Sequence, residues 1–277
     1  MKRQRTLYEK FETTFHVVFV SMFAVFFVKI FLPGFENYIN QMFPVTDKHF
    51  GGVSEQIIVV ETNPTHVHQS LNIDTSTEPY ILFTGGISRT SFSNLSETFE
   101  ERSHIKRIHF YSLGGDLLSI PIFVDFFRDN DLTMVLIEDA VCLSACASIA
   151  TALLQSGNLE YKKGAIVAFH MPSVIMDHGN IPPRIGNGIS IETGVRFSKQ
   201  LVQYGMGWEA LKQIMDSTSF TDNFIAPNED NRTLDGFSDF VQKGRPLQVF
   251  SSTELREKYA NATTKAVRKS QRLQSAK

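Results

Sequence analysis

Residues 107–128 read RIHFYSLGGDLLSIPIFVDFFR, and this stretch decides the fold. Arg107–Tyr111 is a short apolar run of strand type, stopped by Gly114-Gly115. Asp116–Arg128 then carries apolar residues at helical spacing, with Pro121 in its early turns. The same order of strand, glycine stop and helix recurs on both sides. Upstream, Gln56–Glu61 (QIIVVE) predicts a strand. Tyr80–Thr84 (YILFT) ends at Gly85-Gly86, before a helix over Ser93–Arg102 capped by Ser93 or Asn94. Downstream, the strands Thr133–Glu138 (TMVLIE) and Gly164–Phe169 (GAIVAF) flank a helix of small residues, Ser144–Gln155. Apolar strands separated by helices imply an α/β domain whose mostly parallel sheet is covered by helices.

After His170 the pattern loosens. Residues 177–190 hold three Gly and two Pro and read as a loop. Residues 191–216 read as two helices broken near Gly205-Met206-Gly207, and 217–248 as polar and irregular. Ser252–Tyr259 starts a helix, with Ser251 and Glu254 spaced as a capping box. The tail carries Arg256, Lys258, Lys265, Arg268, Lys269, Arg272 and Lys277, so 263–277 is expected to be a basic, flexible end.

Composition narrows the class. With 42% hydrophobic and 20% charged residues over 277 positions, the chain is not disordered. A net charge of −2 argues against a nucleic-acid partner. Two cysteines exclude a disulfide scaffold and a four-cysteine zinc site. There are 24 Phe against one Trp, and seven of them (Phe11, Phe15, Phe19, Phe23, Phe27, Phe31 and Phe35) recur every fourth residue along one helical ridge. Residues 15–32 (FHVVFVSMFAVFFVKIFL) are just long enough to span a bilayer, with Lys29 able to snorkel at the exit and Pro33-Gly34 ending the helix. Lys2, Arg3, Arg5 and Lys10 precede the span, which puts the N-terminus in the cytoplasm and the rest across the membrane. The expected organisation is a cytoplasmic segment 1–14, an uncleaved transmembrane anchor 15–32, a connector 33–55, an α/β domain 56–262 and the tail 263–277.

Three motifs sit at predicted strand exits: SLGG (112–115), CLSACAS (142–148) and AFHMP (168–172). Active-site groups gather at the carboxyl ends of parallel strands. Ser144 opens a helix after a strand, the position of a nucleophile whose negative charge the helix terminus stabilises. A serine needs a base, and His170 titrates in the right range. The diglycine lets backbone N–H groups approach a developing oxyanion. Taken singly, each has a plainer reading as a turn, a cap or a structural histidine.

From Tyr80 to Pro172 the chain resembles the ClpP-like serine peptidases of the ClpP/crotonase superfamily. The residues that carry the resemblance are ILFTGG (81–86), HFYSLGG (109–115), CLSACA (142–147) and FHMP (169–172). Membrane-anchored and periplasmic ClpP-like proteins of bacteria share the C-x-S-A-C box. The resemblance implies a spiral of β-β-α units, here preceded by one transmembrane helix. It implies Ser144 as nucleophile, His170 as general base, and the N–H groups of Gly115 and Ala145 as oxyanion hole. Ser112, Leu113 and Gly114 would lie along an extended peptide substrate. The family's third residue is an aspartate, for which Asp216 is the first candidate and Asp222 the second. The implied protein is an ATP-independent serine hydrolase at the bacterial inner membrane, its catalytic domain in the periplasm. It acts on peptides or proteins, assembles as a homo-oligomer, and needs no cofactor or metal. The rival readings are an inactive ClpP-like module that binds or scaffolds peptides, a crotonase-type acyl-CoA enzyme, and a Ser–Lys peptidase.

Cys142 and Cys146 bracket Ser144. They read either as small buried residues filling a tight turn or as a short-range disulfide of an oxidising compartment. A zinc site built from both with His170, or a metal pair at His66 and His68, is the lesser reading.

Overall fold

The computed structural model describes residues 55–61, 78–171, 183–218, 223–244 and 247–275, with backbone alone over 183–192. The segment 1–14, the expected anchor 15–32, the expected connector up to residue 54, and His66, His68 and Asp222 fall outside the described residues. Among the described residues no helix is long and apolar enough to cross a membrane.

The first part alternates as the apolar runs require: β1 (Gln56–Val60), β2 (Tyr80–Thr84), α1 (Arg89–Glu101), β3 (Arg107–Tyr111), α2 (Ile120–Asp129), β4 (Thr133–Leu136), β5 (Val141–Leu143), α3 (Ala145–Ser156), β6 (Leu159–Tyr161) and β7 (Ile166–Ala168). The second part holds α4 (Pro183–Gln203), α5 (Trp208–Thr218), β8 (Asn223–Pro227), α6 (Leu234–Lys243), β9 (Leu247–Ser251) and α7 (Ser252–Ser275). A five-stranded sheet runs β1-β2-β3-β4-β6. It is parallel except at its edge, where β1 lies antiparallel to β2. β5 and β7 form a second, parallel pair, tied to the first sheet by a bridge from Ser112 to Cys142. β8 and β9 pair antiparallel. The chain is therefore a mixed α/β protein.

Phenylalanine supplies much of the core. Phe83 and Phe110 stack at 4.3 Å between ring centroids, and Phe123 meets both edge-on. Phe92 packs edge-to-face on Phe123 and Phe126, and Phe99 on Phe126. Edge-on and offset ring pairs add to the free energy of simple burial. The Phe surplus is thus shared between the N-terminal run and this core. α3 is buried on every side from Ala145 to Leu153, which its Ala, Ser, Cys and Thr residues make sterically possible.

Four expectations are corrected. α1 starts at Arg89, where Ser88 and Ser91 bond reciprocally as a capping box, ahead of the Ser93 or Asn94 cap. Backbone over 183–190, expected as loop, is already helical, because Pro183 takes a first-turn position that has no need of its N–H. The described residues within 217–248, expected as irregular, form β8, α6 and the start of β9 around Phe224, Ile225, Phe237, Phe240, Val241 and Phe250, whose apolar spacing is diluted by polar neighbours. Gly236 lies inside α6. It is required there because a Cβ would lie 2.0 Å from the Asn231 carbonyl oxygen. The tail is no frayed end: α7 runs to Ser275 and buries a stripe of Leu255, Tyr259, Ala262, Thr263, Ala266 and Ser270. Ser270 Oγ lies 3.1 Å from Tyr80 Oη, and Gln274 donates to the Val59 carbonyl at 2.5 Å. Small residues carry that stripe, so the basic residues dominate its sequence pattern.

Tyr80 also stacks on His109 of β3, with centroids 3.9 Å apart and planes 7° from parallel. Burial first, then the Arg107 cation, lowers the His109 pKa from 6.5 to about 4. The folded protein holds this imidazole neutral while the unfolded chain protonates it below pH 6.5. Its contribution to stability is therefore complete above pH 6.5 and lost as the pH falls toward 4, an effect of at most about 3 kcal/mol. Denaturant midpoints of the wild type and His109→Gln, compared at pH 7 and pH 4.5, are expected to show a smaller acid loss in the variant.

Candidate active site

β5 and β7 run parallel with Leu143 beside Ala168, so the chain leaves both strands at one end. Ser144 is the first residue beyond β5, and His170 follows β7 and Phe169. Ser144 adopts φ 55° and ψ −116°, a conformation that costs about 1–3 kcal/mol in a non-glycine residue. Its N–H donates to the Ala168 carbonyl at 2.9 Å, and its carbonyl accepts the Ser148 N–H at 3.1 Å. This turn brings Ser144 Oγ to 2.8 Å from His170 Nε2. In the tautomer with Nε2 unprotonated, the hydroxyl donates to that nitrogen.

His170 is held from the second part of the chain. Phe169 exchanges main-chain hydrogen bonds with Ile225 of β8 at 2.8 and 2.9 Å. The Phe224 ring packs 4.4 Å from the imidazole, centroid to centroid. The Met171 N–H donates to Thr218 Oγ1 at 2.8 Å, and that hydroxyl donates to the Ile214 carbonyl at 2.6 Å. Thr218 and Phe224 were not visible as site residues in the sequence. Only the pairing of β8 with the chain after β7 brings them there, and no local spacing encodes it.

The diglycine closes the other side. Gly114 stands at φ 99°, and a Cβ there would lie 2.6 Å from Ser144 Cβ and 2.8 Å from the Leu143 carbonyl oxygen. Only glycine fits against the serine turn. Gly115 pairs with Ile87 through an isolated bridge. The N–H groups of Gly115 and Ala145 donate to no acceptor among the described residues. Ala145 is the first residue of α3, where the N–H has no intrahelical partner and the helix dipole is positive. The site thus combines a hydroxyl on an imidazole with two open N–H donors beside it.

The remaining candidates fall differently. Ser112 and Leu113, expected along a substrate, have buried side chains. Asp216 does not join the pair. α5 turns Ala210, Leu211, Ile214 and Thr218 inward, which leaves Asp216 exposed on the opposite face. The Cys142 and Cys146 sulfurs are bonded to each other, with Cα atoms 5.2 Å apart and both residues buried. Neither is then a thiolate for zinc, and among the described residues no three His, Cys, Asp or Glu gather as a metal site.

No family model matches the chain, and no curated protein does. Solved structures similar to it include a ClpP1 mutant from Listeria monocytogenes, 13% identical, covering 65% of this chain and 86% of that one at a TM-score of 0.35. Another is the ClpP protease catalytic domain from Plasmodium falciparum, 14% identical, covering 53% and 76% at a TM-score of 0.37. At such identities and scores, the roles of residues rest on the geometry of this chain alone.

The disulfide closes a loop around Ser144, and chain entropy alone gives it about 2 kcal/mol. A Cys142→Ala/Cys146→Ala variant is expected to melt about 4–8 °C below the oxidised wild type. Calorimetry with and without a reductant checks this: the reductant lowers the midpoint of the wild type and leaves the variant unmoved.

Proposed function

We propose that the chain is a serine hydrolase of ClpP-like type that cleaves peptide bonds without ATP. The observation that carries this reading is the 2.8 Å contact between Ser144 Oγ and His170 Nε2 at a strained strand-to-helix turn. His170 takes the hydroxyl proton as Ser144 Oγ attacks the scissile carbonyl. The oxygen that becomes negative accepts the N–H groups of Gly115 and Ala145, which donate to no other acceptor among the described residues. His170 passes the proton to the leaving amine. It then takes a proton from the water that attacks the acyl carbon, and returns it to Ser144 Oγ as the acyl–oxygen bond breaks and the acid is released.

The sequence reading supports a location for this chemistry. Residues 15–32 anchor the protein, and the charges before them leave the α/β domain on the periplasmic side of a bacterial inner membrane. Substrates are then peptides or proteins of that compartment, and the protein acts as a homo-oligomer. Association with membranes that resists alkaline carbonate is expected for the full chain and lost when residues 1–32 are deleted.

Fluorophosphonate labelling tests the chemistry. Ser144→Ala abolishes labelling of folded protein, and His170→Ala slows it by about three orders of magnitude or more. Equal labelling of wild type and Ser144→Ala would overturn the hydrolase reading and favour a module that binds peptides without cutting them.

A further inference from the structure

We infer that Ser112 is a positioning residue that fixes the aim of the Gly115 N–H and does not touch substrate. The inference rests on the hydrolase reading above. Ser112 is wholly buried, at 0% exposure, so its side chain faces no ligand. Its main chain joins the glycine segment to the strand that carries the serine. The Ser112 N–H donates to the Val141 carbonyl and its carbonyl accepts the Leu143 N–H, each at 2.9 Å. Its hydroxyl oxygen accepts the Gly114 N–H at 3.1 Å.

One residue therefore locks Gly114 to β5 through two main-chain bonds and its hydroxyl, which also donates to the Gly114 carbonyl at 3.5 Å. The next peptide is locked from the other side. The Gly114 carbonyl accepts the Ile87 N–H at 2.8 Å, and the Asp116 N–H donates to the Ile87 carbonyl at 2.7 Å. In a trans peptide the C=O and N–H point in opposite directions. With the Gly114 carbonyl held toward Ile87, the Gly115 N–H points away from Ile87. Ser112 and Ile87 together set the plane of the peptide that supplies this donor.

Removing the Ser112 hydroxyl leaves the Gly114 N–H buried without an acceptor. The glycine segment, at φ 99° and 151°, is then held by the Ile87 hydrogen bonds alone and rotates about them to recover a partner, and the Gly115 N–H turns with it. A donor useful mainly to the negative transition state is lost, so the effect falls on turnover and not on ground-state binding.

The test is the full-length oxidised chain, assayed by fluorophosphonate labelling and by hydrolysis of a small activated ester across pH. Ser112→Ala is expected to lower the labelling rate and kcat about tenfold to a hundredfold, with KM within about threefold of wild type. The midpoint of the pH profile stays in place, because the contacts of His170 are untouched. Ser112→Thr keeps the hydroxyl and is expected to label within about threefold of wild type. Wild-type rates in Ser112→Ala overturn the inference, and so does a loss expressed in KM, which marks a substrate contact. If Ser112→Ala does not fold, Ser112→Thr decides: near-wild-type labelling sustains the inference, and a tenfold loss in folded protein overturns it. Ser144→Ala run alongside separates the two levels, since labelling that survives it removes the hydrolase reading itself.

Discussion

The site depends on one backbone turn. At Ser144 the chain leaves β5 with φ 55° and enters α3 at once, and the rest of the centre is arranged to permit that. A residue held off its preferred conformation persists only where its surroundings over-determine it. Here they do so from several directions. The Ala168 carbonyl takes the Ser144 N–H, the Ser148 N–H takes its carbonyl, and the disulfide ties Cys142 before the turn to Cys146 after it. Gly114 is glycine because the turn occupies the space of a side chain. α3 is built of small residues because it starts from this turn inside the core.

Pairing of β5 with β7 converts the turn into a two-residue site. Their register sets Leu143 beside Ala168, so the residues just beyond each strand emerge together. The imidazole is then fixed by elements more than 40 positions further along the chain: Thr218 at the end of α5, and Phe224 and Ile225 in β8. α7 returns across β1 and β2 and bonds Tyr80 and the Val59 carbonyl. The second part of the chain is a buttress for the histidine, not an appendage to the sheet.

This division explains what could be read from the sequence. The alternation of YILFT, RIHFY, TMVLIE and GAIVAF with apolar helices was legible because each element buries its own residues at its own period. Ser144, His170 and the diglycine were legible because each stands where a strand ends. Partners that come from non-local pairing were not. Phe224 lies in a run with no clear alternation, and Thr218 looks like any polar residue at a helix end. The α7 stripe was hidden for a different reason. Ala262, Thr263, Ala266 and Ser270 bury little apolar area each, so the basic residues between them set the apparent character of the segment. Asp216 shows the converse error, since distance along the chain placed an aspartate that the inward face of α5 turns outward.

The disulfide also bears on where the chain works. Both cysteines are buried, and their bond encloses the serine on which hydrolysis would depend. Such a bond persists in an oxidising compartment and is rare where thiols are kept reduced. In the proposed reading, the charge pattern around residues 15–32 would direct the α/β domain to the periplasmic side, which is oxidising. The two lines are independent, because one rests on Cys142 and Cys146 and the other on Lys2, Arg3, Arg5 and Lys10. A domain held in the reducing cytoplasm would keep its strained turn only through hydrogen bonds. A domain held outside adds a covalent brace at the position where the backbone is most strained.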